Sequence, residues 1–540
     1  MQNHSHILVT TPEGHTETIF IQNHPVPLTL AQCVYTSGFF SAPALCSGLG
    51  ACGRCRMRIT HNAPLPNGPD ALYFTEEELR DGWRLACGHS PLPGMHVLLP
   101  ESAAQPRRLL PPPALSAQSS PLPPLRLAVD LGTTSLHWSL LAGTTRLASG
   151  SELNPQMGAG SEIMSRLAFA ARPEGAAVLQ RLVLKALQAL VHEAETTFGS
   201  PVQECCIAGN PAMTALLLGK DLSGLSAAPY RLDYAGGTAE TLHSLPPVYI
   251  PPQPAPFVGG DLSAGIMAVA EHAPQYPYLL ADLGTNGEFV LALTPQHALV
   301  TSVALGPALE GIGLTFGSVA RPGVITRFIL SPRGLEPVVM PFAPDSATPP
   351  SPPPGISGTG YLSLVRCLLR AGLAGRDGRF ILPPRTPLGA RLAASMKDNG
   401  GEQCLVLGSG LHISAGDIEE ILKVKAAFTL AFARLLKEAG LAPQDLRCIY
   451  LAGALGEHVD LADLEELGFL PSGMGAAHPA QSGKVVGVGN ASLRGAERFL
   501  VDPDLRAVAE VWSAATTHVD LTADPAFTQT FMRHMRFAHI

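Results

Sequence analysis

The alternation of apolar and polar positions divides the chain into a short N-terminal region and a long α/β region. In the N-terminal region, HILVT and TETIFI predict a β-hairpin, TLAQCVYTSG predicts a helix and RCRMRIT predicts a further strand. From Leu125 onward, short apolar runs typical of strands alternate with segments typical of helices. This alternation is the pattern of an α/β domain.

Two proline-rich stretches indicate where the domains end. Residues 102–124 (SAAQPRRLLPPPALSAQSSPLPP) are predicted to be a semi-extended linker between a domain at 1–101 and one at 125–540. A shorter stretch at 341–355 predicts a surface loop inside the second domain. We expect a multidomain protein whose linker allows the N-terminal domain to move.

Composition and charge exclude several classes of protein. The apolar fraction of 46% in 540 residues is enough for buried cores, and a net charge of −8 without a basic run argues against a nucleic-acid surface. No apolar run is long enough to predict a membrane span, and the start MQNHSHILVTTPEG does not have the pattern of an export signal. We expect a cytoplasmic protein.

Four of the ten cysteines have the spacing of metal ligands. They follow the pattern C-x5-C-x2-C, with the fourth ligand 31 residues beyond the glycine-rich loop CSGLGACGRC; they are Cys46, Cys52, Cys55 and Cys87. Three ligands in one loop and one from a distant segment favour an iron–sulfur cluster, whereas structural zinc sites usually pair two short knuckles. Zinc remains the alternative, and the flanking elements fit a β-grasp fold. The other six cysteines are predicted to be buried free thiols.

Two similar strand–turn–strand segments predict phosphate-binding hairpins. Each places an aspartate at the end of an apolar strand, where it can hold Mg²⁺ through water, and follows it with a turn that can cup phosphates. The first contains Asp130, Gly132, Thr133 and Thr134, and the second contains Asp282, Gly284, Thr285 and Asn286. The alternative is a duplicated α/β domain without a ligand.

Two further segments complete the candidate nucleotide site. In IYLAGALGEHVD, a strand runs into Gly453 and Gly456, whose small size permits close approach of an adenosine group. In PFVGGDLSAGIMA, Asp261 stands at the start of a predicted helix. Its structural alternative is an N-cap residue, a role compatible with a catalytic one.

These motifs resemble known families. The cysteine loop resembles that of adrenodoxin-type ferredoxins, which implies a 2Fe–2S cluster in an N-terminal β-grasp ferredoxin-like domain. The order of the two hairpins and the glycine turn resembles the superfamily of acetate and sugar kinases, heat-shock ATPases and actin. That resemblance implies a two-lobed, ribonuclease-H-like ATPase that binds ATP with Mg²⁺, with lobe I at about 125–260, lobe II at about 275–500 and a C-terminal segment, 501–540, packed on it. It also implies that Asp261 could orient or deprotonate a water that attacks the γ-phosphate.

The combination of the two domains resembles the reductive activators of corrinoid enzymes. Several strings fit that family: NPQMGAGSEIMSRL, AGNPAMTALLLG, GPALEGIG, LAGALGEHVD and VGNASLRGA. The segment GISGTG departs from it, with serine and threonine where a cysteine and a serine are expected, and an intermediate linker domain found in some relatives is missing. How the ferredoxin domain is positioned, and whether the chain forms a homodimer, therefore stay open.

The resemblance implies ATP-dependent reduction of a Co(II) corrinoid protein to Co(I) within a methyltransferase system. The partners implied are that corrinoid protein and an unidentified low-potential electron donor, with neither nucleic acid nor a membrane. Two alternatives remain: a redox-regulated kinase of the acetate and sugar kinase superfamily, and an electron carrier whose ATPase-like half is a non-catalytic scaffold.

Overall fold

A computed structural model describes most of the chain as two compact units, Met1–Ile250 and Pro251–Ile540. The boundary lies at Ile250, ahead of the position near 260 expected for the end of lobe I. The linker at 102–121 and most of the stretch at 341–355 lie outside the described residues. The described residues are 5–21, 27–43, 45–46, 48, 50, 52–100, 122–342, 353, 355–399, 401–453, 459–471, 474 and 485–538.

The first unit begins with an N-terminal domain built on a five-stranded sheet. The central pair β1 and β5 is parallel and the other pairs are antiparallel, in the order β2-β1-β5-β3-β4. A capping box between Thr29 and Gln32 starts helix α1, whose apolar side chains pack into the core of this domain. The elements are β1 (His6–Thr10), β2 (Thr16–Phe20), α1 (Leu30–Tyr35), β3 (Arg56–His61), α2 (Gly68–Tyr73), α3 (Glu76–Arg80), β4 (Trp83–Leu85) and β5 (His96–Leu98).

The rest of the first unit, called lobe I here, is a six-stranded sheet with helices. Three strands form an antiparallel meander, and β9 and β11 continue the sheet in parallel on the other side, in the order β10-β11-β9-β6-β7-β8. The elements are β6 (Leu125–Leu131), β7 (Ser135–Ala142), β8 (Thr145–Leu153), α4 (Ile163–Ala170), α5 (Pro173–Phe198), β9 (Val202–Gly209), α6 (Pro211–Leu218), α7 (Ser223–Ser226), β10 (Thr238–Glu240) and β11 (Val248–Ile250).

The second unit, called lobe II here, is built on another six-stranded sheet, in the order β21-β20-β12-β13-β14-β22, with a β-hairpin and a three-stranded sheet besides. The elements up to the long helix are α8 (Gly260–Val269), β12 (Tyr278–Leu283), β13 (Asn286–Thr294), β14 (His297–Ala304), β15 (Ile325–Ser331), β16 (Gly334–Val339), α9 (Gly358–Arg370), α10 (Pro387–Ala393), β17 (Met396–Asn399), β18 (Glu402–Gly408), β19 (Leu411–Ser414) and α11 (Ala415–Ala439). Those that follow are β20 (Cys448–Ala452), α12 (Leu461–Leu467), β21 (Val485–Gly489), α13 (Ala491–Val501), α14 (Asp504–Ala515), β22 (Thr517–His518) and α15 (Phe527–His534).

The two lobes repeat one plan. In each, an antiparallel meander (β6–β8 or β12–β14) is followed by parallel strands that pair with the first strand of the meander. The core of lobe II is apolar and aromatic, with Phe428 of α11 in contact with the rings of Phe289, Phe432 and Phe469. Because both central strands are buried, their ends and the turns that follow are fixed by the sheet.

Candidate functional site

All four predicted ligand cysteines line one cavity of about 210 Å³ in the first unit. Cys46 and Cys55 are buried, whereas Cys52 and Cys87 are partly exposed. The thiols form two contacting pairs, because Cys46 shares a hydrogen bond with Cys52 and Cys55 shares one with Cys87. The other six cysteines are buried free thiols, as the sequence predicted, and only Cys33 of these belongs to the N-terminal domain.

The pairing and the backbone set the electrostatics of these sulfurs. The hydrogen bond to Cys46, followed by burial, raises the pKa of Cys52, and the hydrogen bond to Cys87, followed by burial, raises the pKa of Cys55. The opposite effect holds for Cys87, whose pKa is lowered first by its hydrogen bond with Cys55. Backbone hydrogen bonds, from Arg54 to the Cys52 sulfur and from Gly50 to the Cys87 sulfur, stabilise negative charge on both.

Glycines shape the loop that carries three of the cysteines. Gly48 and Gly50 have φ values of 88° and 69°, in the left-handed region that favours glycine. Gly53 also has a positive φ, and a Cβ there would lie 2.1 Å from the ring of Tyr73 in α2. The loop therefore packs directly against helix α2, and a larger residue at Gly53 would separate them.

The N-terminus of α2 holds the segment of the fourth cysteine, a contact that the sequence did not indicate. Asn67 caps α2, and its Nδ2 donates a hydrogen bond of 3.1 Å to the carbonyl of Gly88. The fully buried Asp70 accepts a hydrogen bond of 2.8 Å from the backbone N–H of Leu85. The two side chains together fix residues on both sides of Cys87.

One wall of the cysteine cavity comes from lobe I. Residues 157–160, which follow strand β8, line the cavity together with the four cysteines. Met157 is fully buried in the core of the N-terminal domain, and Lys185 of α5 donates a hydrogen bond of 2.9 Å to the carbonyl of Gly38. The N-terminal domain and lobe I are thus packed together in this structure.

The first predicted phosphate hairpin lies between β6 and β7. Asp130 pairs with His137 across the two strands, which places Gly132, Thr133 and Thr134 in the turn beyond them. A Cβ at Gly132 would lie 2.7 Å from the carbonyl of Ser135, so only glycine fits this turn without a shift. The hydroxyl of the buried Thr133 accepts a hydrogen bond of 3.1 Å from Asn210, the N-cap residue of α6.

The second hairpin repeats this geometry in lobe II. Asp282 pairs with Glu288 between β12 and β13, and Gly284 and Thr285 form the turn. Asn286 begins β13, and its carbonyl accepts a hydrogen bond of 3.0 Å from the N–H of Gly284. Each aspartate occupies the last position but one of its strand, as in the first hairpin.

Glu310 is a carboxylate at the second hairpin that sequence reasoning did not select. The hydroxyl of Thr285 lies 3.3 and 3.4 Å from its two carboxylate oxygens. A Cβ at Gly284 would lie 3.3 Å from the same carboxylate. The string GPALEGIG contains this residue, but nothing in its spacing relates it to a turn 25 residues earlier.

The glycine turn after β20 meets the second hairpin. Gly453 has a φ of 81°, and a Cβ there would lie 2.9 Å from Oδ1 of Asp282 and 2.7 Å from the carbonyl of Leu283. Gly456, the other predicted adenosine contact, lies outside the described residues. The structure therefore brings the first of these two glycines to the candidate magnesium ligand.

Asp261 is in the first turn of α8 but is not its N-cap. The N-cap residue is Gly259, so the structural alternative weighed for this aspartate was wrong in its position. The Oδ1 atom accepts a hydrogen bond of 2.8 Å from the backbone N–H of Leu262, and the side chain is partly exposed. A carboxylate in this place is stabilised by the positive end of the helix dipole.

Neither a compact single-ion site nor a membrane-crossing helix occurs in the described part of the chain. No group of three or more His, Cys, Asp or Glu side chains there converges as ligands for one metal ion. Among the same residues, no helix has the length and apolar character needed to cross a membrane.

Comparisons with known proteins point to one family. Residues 125–273 match the model described as RACo middle region, and residues 277–540 match the C-terminal domain of RACo, the ASKHA domain. The chain is 27% identical over 431 residues to the corrinoid activation enzyme RamQ of Eubacterium limosum, covering 76% of this chain and 70% of that protein. It is 25% identical over 446 residues to the [Co(II) methylated amine-specific corrinoid protein] reductase of Methanosarcina barkeri, covering 76% of each.

A shorter match and a solved structure complete the comparison. A stretch of 59 residues, 11% of this chain, is 41% identical to 14% of a component of the Na(+)-translocating NADH-quinone reductase of Chlamydia trachomatis serovar D. The fold matches a reductive activator for corrinoid,iron-sulfur protein with a TM-score of 0.67, at 21% identity and over 99% of both chains. The chain, with its ASKHA-type C-terminal domain, belongs to the family of reductive activators of corrinoid proteins.

Proposed function

We propose that this chain is an ATP-dependent activator that reduces the Co(II) form of a corrinoid protein to Co(I), using a 2Fe–2S cluster held by Cys46, Cys52, Cys55 and Cys87. The observation that carries the proposal is the placement of two cysteine pairs around one cavity, in the same compact unit as a candidate phosphate hairpin. Family membership supports the corrinoid protein as the partner.

The residues around the cavity fit a two-iron cluster. Such a cluster needs two thiolates on each of two irons, and the contacting pairs Cys46–Cys52 and Cys55–Cys87 supply one pair for each. Positive φ values at Gly48 and Gly50 allow the loop to wrap around it, and the backbone hydrogen bonds to the sulfurs stabilise their negative charge. The cluster supplies one-electron transfer, and the N-terminal domain acts as its ferredoxin-like carrier.

The two hairpins are proposed to hold ATP with Mg²⁺. Their aspartates, one in each lobe, hold the metal through water, and the turns bind phosphate oxygens with hydroxyl and backbone N–H groups. The proximity of Gly453 to Asp282 supports an adenosine position next to the second hairpin. The proposed contacts are Asp130 and Asp282 for Mg²⁺, Gly132, Thr133, Thr134, Gly284, Thr285 and Asn286 for the phosphates, and Gly453 and Gly456 for adenosine.

Asp261 is proposed to orient the water that hydrolyses ATP. That water would attack the γ-phosphate, its proton would pass to the carboxylate, and ADP would leave with phosphate as the second product. The partial exposure of Asp261 and the fixed orientation of its Oδ1 by Leu262 are compatible with this role. We expect Asp261→Asn to lower kcat for ATP hydrolysis about 100-fold, with little change in the KM for ATP.

ATP is required because the electron transfer is unfavourable by itself. One electron from a low-potential donor converts Co(II) to Co(I), at a potential more negative than those of most 2Fe–2S clusters. Nucleotide binding and hydrolysis can favour a conformation in which this step proceeds, provided that ATP binds that conformation more tightly than the alternative. A nucleotide that engages a hairpin of each lobe would meet this requirement.

An anaerobic assay tests the proposal. The reconstituted, reduced full chain is mixed with a Co(II) corrinoid protein, and Co(I) absorbance is followed with and without MgATP. We expect Co(I) to form only with ATP, and to be lost in Cys46→Ser and Asp282→Asn but retained in the control Cys33→Ser, whose thiol does not line the cavity.

Two other outcomes would overturn the proposal in distinguishable ways. Transfer of phosphate to a small acceptor without Co(I) formation would indicate a redox-regulated kinase. Full Co(I) formation by Asp282→Asn would indicate an electron carrier with a non-catalytic ATPase-like scaffold.

A further inference from the structure

A buried segment connects the first phosphate hairpin to the cysteine cavity. We call residues 154–160 the bridging segment. At its start, Asn154 is almost fully buried and donates two hydrogen bonds to the hairpin: its backbone N–H to the carbonyl of Thr134 at 2.8 Å, and its Nδ2 to the carbonyl of Gly132 at 2.7 Å. The position of the bridging segment therefore depends on the conformation of the hairpin.

The other end of the bridging segment reaches the cavity. Met157, Gly158 and Gly160 line it together with the four cysteines. Gly158 packs so closely on the N-terminal domain that a Cβ there would lie 2.6 Å from Cβ of Tyr35. Movement of the hairpin carbonyls would therefore be transmitted to the wall of the cavity.

Arg166 connects the two sites a second time, and it does so with a positive charge. The side chain of this residue in α4 is fully buried. Its guanidinium donates hydrogen bonds to the carbonyl of Thr133 in the hairpin and, at 2.9 Å, to the carbonyl of Gly160 in the cavity wall. A third donor lies 3.4 Å from Oε1 of Gln156, within the bridging segment.

A buried cation between two anionic sites must couple them. The charge of a 2Fe–2S cluster with four thiolates is negative and increases by one unit on reduction, so a nearby guanidinium favours the reduced state. Nucleotide phosphates at the hairpin would offset part of that positive charge. The reduced cluster would then be less stable, and hence a stronger electron donor.

We propose that Arg166 is a positioning residue that lets nucleotide binding at the first hairpin lower the reduction potential of the cluster. The inference rests on the proposed function, because it requires both ligands to bind. The coupled step is the gain of one electron from an external reductant, with no bond formed or broken. By linkage, reduction of the cluster must weaken nucleotide binding by the same factor.

The test uses the full chain with its cluster reconstituted. The Kd of the magnesium complex of a non-hydrolysable ATP analogue is measured with the cluster oxidised and after reduction by dithionite. We expect a Kd about tenfold weaker in the reduced protein, which corresponds to a potential about 59 mV more negative when nucleotide is bound. A spectroelectrochemical titration with and without the analogue measures that shift independently.

Variants assign the coupling to Arg166. Arg166→Gln removes the charge and should reduce the ratio of the two Kd values to near one, whereas Arg166→Lys keeps the charge and should retain part of it. Arg181→Gln, at an exposed arginine of α5, is the matched control and should keep the full ratio. If Arg166→Gln does not fold, the ratio in Arg166→Lys against that of the control decides.

The possible results separate this inference from the proposed function. A protein that binds no cluster or no nucleotide would overturn both. A protein that binds both, but with equal affinity for nucleotide in the two redox states, would overturn the coupling alone. An unchanged ratio in Arg166→Gln, or one in Arg166→Lys equal to that of the control where only that variant folds, would show that Arg166 does not carry it.

Discussion

Asp70 and His89 form a buried hydrogen-bonded pair, with Oδ2 of the carboxylate 2.7 Å from Nε2 of the imidazole. The same carboxylate binds the N–H groups of Leu85 and Asn67, at 2.8 and 2.9 Å. One side chain of α2 thus holds the segment of Cys87 at a residue before it and at a residue after it. This arrangement explains how a ligand distant in sequence is kept beside the glycine-rich loop.

The first prediction follows from this pair. Asp70→Ala should destabilise the apoprotein by about 3–5 kcal/mol, because it leaves buried donors without their acceptor. Iron content after reconstitution should fall with it. The control Asp81→Ala removes an exposed ion pair with Arg58 and should cost at most about 1 kcal/mol. Chemical denaturation and iron analysis measure both, and equal effects of the two substitutions would contradict the role given to Asp70.

The second prediction concerns Gly453. Gly453→Ala places a Cβ 2.9 Å from Oδ1 of Asp282, at a φ of 81°. We expect a loss of about 1–2 kcal/mol in stability from the backbone conformation and at least about a tenfold weaker binding of MgATP from displacement of the carboxylate. The matched control is Gly440→Ala, which has a φ of 65° and open space around it. It should lose similar stability and no nucleotide affinity, as calorimetry would show.

Local patterns allowed much of the N-terminal domain and both hairpins to be predicted. The strings HILVT and TETIFI form the hairpin β1–β2, and α1 lies within the predicted helix segment. The two aspartate turns were recognisable because each follows an apolar strand that is buried in a sheet. Short-range periodicity and turn chemistry determine such elements, so the sequence contains the information.

Contacts between distant segments could not be predicted in this way. Arg166 is in the string NPQMGAGSEIMSRL, yet an arginine in an amphipathic helix is ordinarily a solvent-exposed residue. Nothing in the composition of the linker indicated that the N-terminal domain would pack on lobe I. Glu310 and Asp70 also act across turns and helices, and their roles depend on tertiary packing.

The third prediction is a pH dependence set by Lys425 of α11. Burial lowers the pKa of this lysine to about 8, and its Nζ donates a hydrogen bond of 2.9 Å to the carbonyl of Ala538. The folded state therefore releases this proton near pH 8, whereas the unfolded state keeps it to about pH 10.5. Because the unfolded state binds more protons between these values, the free energy of unfolding should rise with pH across that window.

A comparison with Lys425→Met isolates this contribution from the other groups that titrate at alkaline pH. The difference in unfolding free energy between the native chain and the variant should shift in favour of the native chain by about 1–2 kcal/mol from pH 8 to pH 10.5. Urea denaturation at several pH values measures it. A difference that stays constant over this range would contradict the burial of an uncharged lysine.

The last prediction tests the packing of the N-terminal domain on lobe I. Gly158→Ala introduces a Cβ 2.6 Å from Cβ of Tyr35 and 2.9 Å from its backbone carbon, an overlap that no rotamer change relieves. The contact should open at a cost of about 1–3 kcal/mol, and amide hydrogen exchange of residues 157–160 should become at least about tenfold faster. Gly68→Ala, with open space and no positive φ, is the matched control in the same unit and should leave these amides protected. Equal exchange in the two variants would mean that the cavity wall does not depend on this contact, and the N-terminal domain would then be free to leave lobe I as the proline-rich linker suggested.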